Sequence, residues 1–85
     1  MHNIMEDIAE DYLVSILTTR KNICNCERCK NDILNYALSR LPPKYVTRDS
    51  GAMYTIIENT RVEYQANILA KLLKAIIVVH KNPRH

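Results

Sequence analysis

The sequence of 85 residues contains no tryptophan and no phenylalanine, and it has one glycine and three prolines. A core without these large aromatic residues is built from aliphatic side chains with tyrosine at its edges, which suits helices packed on helices. One glycine leaves little scope for the turns that cradle phosphates in P-loop enzymes. No apolar run approaches the roughly 20 residues that a membrane-spanning helix needs. These absences favour a helical chain and argue against a P-loop enzyme or a membrane partner.

Motifs of other enzyme classes are also missing from the sequence. No Ser/His/Asp or Cys/His signature occurs, and no paired-carboxylate motif is present. We therefore expect a non-catalytic protein.

The length predicts a single domain, residues 1–85, and a monomer of this size would bury only about 60–65% of its surface on folding. A bound metal or a second subunit would add stability. The net charge of +3 is too small to indicate nucleic-acid binding, and we expect no such partner. Arg40, Lys44, Arg48 and Arg61 nevertheless make the middle of the chain basic, so a small anionic ligand could bind there.

The cysteines form one tight cluster, because Cys24, Cys26 and Cys29 fall within six residues. Zinc in structural sites takes four tetrahedral ligands, and thiolates are among the ligands it prefers. Cys26 and Cys29 have the C-x-x-C spacing of such ligands, and Cys24 projects to the same side of an extended segment. The cluster can therefore supply three zinc ligands.

The fourth ligand would come from elsewhere, with His80, His85 and water as candidates. Two other interpretations remain open. The cysteines could simply be reduced and structural, or the C-x-x-C pair could be a redox site, although no βαβ pattern accompanies it. An odd number of clustered cysteines fits a reducing compartment, and no signal-peptide pattern opens the chain, so we expect a cytoplasmic location.

Apolar spacing predicts three helices. The first begins after Asn3, which has a capping-box spacing to Glu6, and ends near Thr19. The second runs from about Glu27 to Leu41, where Pro42 stops it. Lys44 to Thr47 permits an extended segment but is too short to predict a strand, and Asp49 to Gly51 reads as a turn.

The third helix covers Met53 to Lys81, a stretch without proline or glycine. A fresh start near Arg61, capped by Asn59 and Thr60, would make four helices instead of three. The run from Ile76 to Val79 leaves too little polar surface for a helix packed on one side only. We therefore expect a homodimer through this helix, with a monomer that wraps its first two helices around it as the alternative.

The sequence resembles the late competence development protein ComFB family over nearly all of its length. The matching features are Cys24-x-Cys26-x-x-Cys29, Asn31-Asp32, Ala37-Leu38 to Leu41-Pro42-Pro43, Tyr45-Val46, and the closing Asn82-Pro83-Arg84-His85. The resemblance implies a small all-α homodimer, stapled by zinc at the start of the second helix. Some relatives carry a further cysteine where this chain ends in His85, which makes His85 the first choice for the fourth ligand.

The same resemblance implies that the chain is a receptor for the second messenger cyclic di-GMP. Arginine can pair with or stack on guanine, tyrosine can stack on it, and a carboxylate can accept hydrogen bonds from it. We expect the ligand site at the loop between the second and third helices, with Asp32 preferred over Asp49 as the carboxylate. The predicted site residues are Arg40, Lys44, Tyr45, Arg48, Arg61 and Asp32.

A second function remains open from the sequence. The chain could be a zinc-stabilised module that binds a protein or associates with DNA in late competence. Titration with cyclic di-GMP separates this alternative from the receptor.

Overall fold

A computed structural model describes residues 2–20, 23, 26–47 and 52–81 of the chain. The elements in this part follow in the order β1 (His2–Asn3), α1 (Ile4–Thr19), α2 (Glu27–Leu38), β2 (Tyr45–Val46) and α3 (Met53–Lys81). The predicted helical fold with a long C-terminal helix is confirmed. Asn59 and Thr60 lie inside α3 and do not cap a fresh start, because the helix runs without interruption from Met53 to Lys81.

The start of α1 is fixed by Asn3, whose side-chain oxygen accepts a hydrogen bond from the Met5 N–H at 3.2 Å. The same oxygen accepts from the Lys44 N–H at 2.9 Å, and the Ile4 N–H donates to the Lys44 carbonyl at 2.9 Å. A helix N-cap normally satisfies only the local donors of its own first turn. Here the Asn3 side chain also binds Lys44, in the segment that follows Pro42 and Pro43.

The two short strands pair antiparallel, with His2 opposite Val46 and Asn3 opposite Tyr45. The extended segment expected near Lys44 thus forms a strand. Its partner was not predicted, since two residues at the beginning of a chain carry no periodic signal.

The core lies where the three helices meet. α2 packs against both α1 and α3, and α1 also packs against α3. The fully buried large side chains are Ile4, Met5, Ile8, Leu13, Ile33, Ile68 and Leu72. An aliphatic core of this kind agrees with the absence of phenylalanine and tryptophan.

The second helix ends at Leu38, three residues before the expected boundary at Leu41. The Arg40 N–H bonds the Ala37 carbonyl at 3.0 Å and the Leu41 N–H bonds the Leu38 carbonyl at 3.3 Å, so the chain tightens into i to i+3 turns. Pro42 explains the early end, because a residue that precedes proline is disfavoured in the α conformation. Leu41 is still buried, at 6% exposure.

α3 carries apolar side chains on its outward side as well as in the core. Val62, Leu73 and Ile77 are 72%, 39% and 55% exposed in the single chain, and their spacing places them on one face. We call this set the outer face of α3. None of the helices in the described residues has the length and hydropathy to cross a bilayer.

The double role of Asn3 gives a stability prediction. Replacement by alanine removes the acceptor for both the Met5 and Lys44 N–H groups, and we expect Asn3→Ala to lower the free energy of unfolding by about 1–2 kcal/mol. Asn3→Asp keeps an acceptor oxygen and places negative charge at the helix N-terminus, so most of the stability should remain. Urea denaturation of the three proteins measures the difference. Equal losses in both variants would contradict the cap.

Candidate functional site

A surface groove of about 410 Å³ lies between the C-terminal half of α2 and the last turns of α3. The α2 wall carries polar and aromatic residues, whereas the α3 wall consists of Val78 and Val79. The α2 residues are spaced three or four apart, which places them along neighbouring rows of the helix and the turn after it. They are Asp32, Asn35, Tyr36, Ser39 and Arg40.

Arg40 and Tyr36 form the centre of this groove. The Arg40 guanidinium carbon lies 3.6 Å from the centroid of the Tyr36 ring, within the range of a cation–π contact. Arg40 Nη1 donates to the Tyr36 carbonyl at 3.1 Å and to Ser39 Oγ at 2.9 Å. A cation beside the carbonyls that end a helix also meets the negative end of the helix dipole. The side chain is therefore held in place although it is exposed.

Asp32 lies one helical turn before Tyr36, and its half-buried side chain lines the same groove. A carboxylate has about four lone-pair sites for hydrogen bonds, so it can accept from more than one donor. Two residues predicted from the sequence, Asp32 and Arg40, are thus brought together on one wall. The groove combines a cation, a carboxylate and an aromatic ring.

Lys44 and Tyr45 do not line this groove. They lie in and beside β2, where Lys44 is held through its backbone to Asn3 and Ile4, and the Tyr45 side chain is 57% exposed. Arg48 and the alternative carboxylate Asp49 lie outside the described residues.

Arg61 is likewise away from the groove lining, in the middle of α3. Its Nη2 donates to Asp11 Oδ2 at 3.1 Å, its Nε lies 3.7 Å from Glu58 Oε1, and its guanidinium carbon lies 5.4 Å from the Tyr12 ring centroid. The hydrogen bond with Asp11 raises the pKa of Arg61 above its ordinary value, so the side chain stays charged. These contacts join α3 to α1.

The start of α2 holds the two described cysteines. Cys26 caps the helix, with its Sγ accepting from the Cys29 N–H at 3.5 Å, and Cys29 is buried in the first turn. The positive end of a helix dipole favours the thiolate form that binds metal, so this part of the predicted ligand set fits zinc.

The other two predicted metal ligands, Cys24 and His85, lie outside the described residues. Across residues 2–20, 23, 26–47 and 52–81, no group of three or more potential ligands is placed to hold a metal ion. Zinc binding therefore stays a prediction. His80, the alternative ligand, is exposed in the last turn of α3.

The sequence reasoning missed Tyr36, the residue at the centre of the groove. Its signal was the spacing of Asp32, Tyr36 and Arg40, each four residues apart, which aligns a carboxylate, a ring and a guanidinium along a helix. Val78 and Val79 were predicted as apolar helix residues, but their place opposite α2 depends on the packing of the helices.

Residues 2–83 match the family model described as Late competence development protein ComFB. The Competence protein ComFB of Bacillus subtilis (strain 168) is 27% identical over 81 residues, a match that covers 95% of this chain and 83% of that protein. A solved structure of the late competence protein ComFB from Bacillus subtilis aligns with a TM-score of 0.79 at 27% identity. That alignment covers 96% of this chain and 92% of the solved chain.

Proposed function

Since this chain belongs to the late competence development protein ComFB family, we propose that it is a non-catalytic signalling protein that binds cyclic di-GMP. The observation that carries the proposal is the meeting of Asp32 and Arg40 in one groove. Both residues were expected as guanine-recognition groups from the resemblance to the family. The proposal includes a zinc staple at the start of α2 and a homodimer through α3.

The chemistry of the groove suits one guanine base of the messenger. Guanine presents N–H donors on one edge, which a carboxylate such as Asp32 can accept in a paired arrangement. Its other edge carries the O6 and N7 acceptors, and arginine can donate to both or stack on the ring. The positive charge of Arg40 also attracts the phosphates that join the two nucleotides.

Calorimetric titration tests the ligand directly. We expect heat with cyclic di-GMP and none with GTP as the control, and we expect Arg40→Ala and Asp32→Asn each to weaken binding about tenfold or more. Arg20→Ala, a change at an exposed arginine that ends α1, should bind as the wild type does. Arg61→Ala and Lys44→Ala test the two predicted residues that lie away from the groove.

Two results would contradict different parts of the proposal. Wild-type protein that gives no heat with cyclic di-GMP is not its receptor, and binding to duplex DNA with a steep salt dependence would then favour the DNA-associated alternative. Wild-type binding with unchanged affinity in both groove variants would move the site elsewhere.

The metal can be tested without reference to the ligand. We expect about one zinc ion per chain by elemental analysis, lost in Cys26→Ser. Serine is also a good N-cap, so this variant replaces the capping sulfur with a capping oxygen and removes the thiolate. Hydrogen exchange should then quicken first in the opening turn of α2. Wild-type protein that is fully folded without metal would contradict the staple.

The outer face of α3 supports the dimer, because three large apolar side chains at helical spacing are exposed in the single chain. Ile77→Glu would bury a charge in the contact, and we expect it to raise the dimer dissociation constant about 100-fold or more in sedimentation velocity. Val14→Glu, at a 46% exposed position of α1, is the matched control. A wild-type monomer, or a dimer that survives Ile77→Glu, would refute this interface.

A further inference from the structure

The Arg40 guanidinium makes three contacts with two residues at the end of α2. It covers the Tyr36 ring at 3.6 Å, and it donates to the Tyr36 carbonyl at 3.1 Å and to Ser39 Oγ at 2.9 Å. Ser39 Oγ in turn donates to the same Tyr36 carbonyl at 2.8 Å. An exposed arginine ordinarily samples many rotamers, and these contacts stabilise the orientation in which Arg40 lies over the ring.

A guanidinium is planar and has two faces for stacking. The Arg40 guanidinium lies over the Tyr36 ring, and its opposite face is the one on which a second flat group would stack. Arg40 is exposed and lines the groove, so a ligand in the groove can reach that opposite face.

The remaining walls of the groove match the surface of a purine. Val78 and Val79 give an apolar wall on α3, whereas Asp32 and Asn35 give hydrogen-bonding groups on α2. A purine base has apolar faces and polar edges, and proteins bind such bases by stacking on the faces and hydrogen bonding to the edges.

We propose that Tyr36 is a positioning residue that holds the Arg40 guanidinium as a stacking platform for one purine base of the ligand. This role rests on the nucleotide-binding function proposed above and adds a residue and a binding mode to it. Tyr36 acts through Arg40, and the base stacks on the guanidinium.

A purely structural role for the pair has different consequences. If the contact between Arg40 and Tyr36 only stabilised the C-terminal end of α2, changes at Tyr36 would alter the free energy of unfolding and leave the affinity for nucleotides unchanged. The two roles are separated by variants that keep either the ring or the charge.

Titration of cyclic di-GMP into the wild type, three variants of the pair and two control variants provides the main test. Tyr36→Leu removes the ring and should weaken binding about tenfold, whereas Tyr36→Phe keeps the ring and should stay within about twofold of the wild type. Arg40→Lys keeps the positive charge but removes the planar guanidinium, and it should also weaken binding about tenfold. Tyr54→Leu, at a 74% exposed tyrosine outside the groove, and Arg20→Lys are the matched controls.

A spectroscopic readout reports stacking in the wild-type protein itself. The Arg40 Nε–H resonance, assigned by its loss in Arg40→Lys, should move upfield when guanosine is added, because the ring current of a stacked base shields it. Guanosine carries no phosphate, so this shift should persist at high salt.

The outcomes distinguish the stacking platform from the cyclic di-GMP binding function on which it rests. Wild-type binding of cyclic di-GMP with unchanged affinity in Tyr36→Leu or Arg40→Lys would overturn the platform and leave the receptor function standing. If Tyr36→Leu fails to fold by circular dichroism, Arg40→Lys and the guanosine shift decide the result. No heat with wild-type protein would overturn both proposals.

Discussion

The burial of one stripe of α2 is the constraint on which the rest of this structure depends. Cys29, Ile33 and Ala37 lie four residues apart and are almost wholly buried against the other helices. This contact fixes the rotation of α2 about its axis, since a helix with one buried stripe has one stable orientation. It therefore sets where the cap at Cys26 lies at one end and where Arg40 lies at the other.

Sequence periodicity was enough to predict the three helices, and the reason is physical. The long stretch without proline or glycine forms α3 from Met53 to Lys81, and the capping position of Asn3 starts α1. The end of α2 was placed too late, because the buried Leu41 continues the apolar pattern after the backbone has left the helix. A side-chain pattern reports burial, and burial does not require helical backbone.

Of the predicted site residues that the structure describes, Asp32 and Arg40 line the groove, whereas Lys44, Tyr45 and Arg61 lie elsewhere. Lys44 and Arg61 are held away from the groove by contacts with residues far away in the sequence. The Lys44 N–H bonds Asn3, 41 positions away, and Arg61 bonds Asp11, 50 positions away. Such pairs leave no periodic signal in the sequence. Asp32 and Arg40 do line one groove, because Asp32, Tyr36 and Arg40 follow one another at spacings of four along one side of α2 and the turn after it.

The last turns of α3 connect the proposed binding site with the proposed dimer. Ile77 belongs to the outer face, and the next residue, Val78, lines the groove. Successive residues on a helix point roughly 100° apart, so a second copy packed on Ile77 would lie beside the apolar wall of the groove. Packed interfaces resist small displacements, because their side chains fill space at near-crystalline density. Because Ile77 and Val78 are neighbours on one helix, any shift of α3 at the proposed dimer contact would also move Val78 relative to the Arg40 guanidinium.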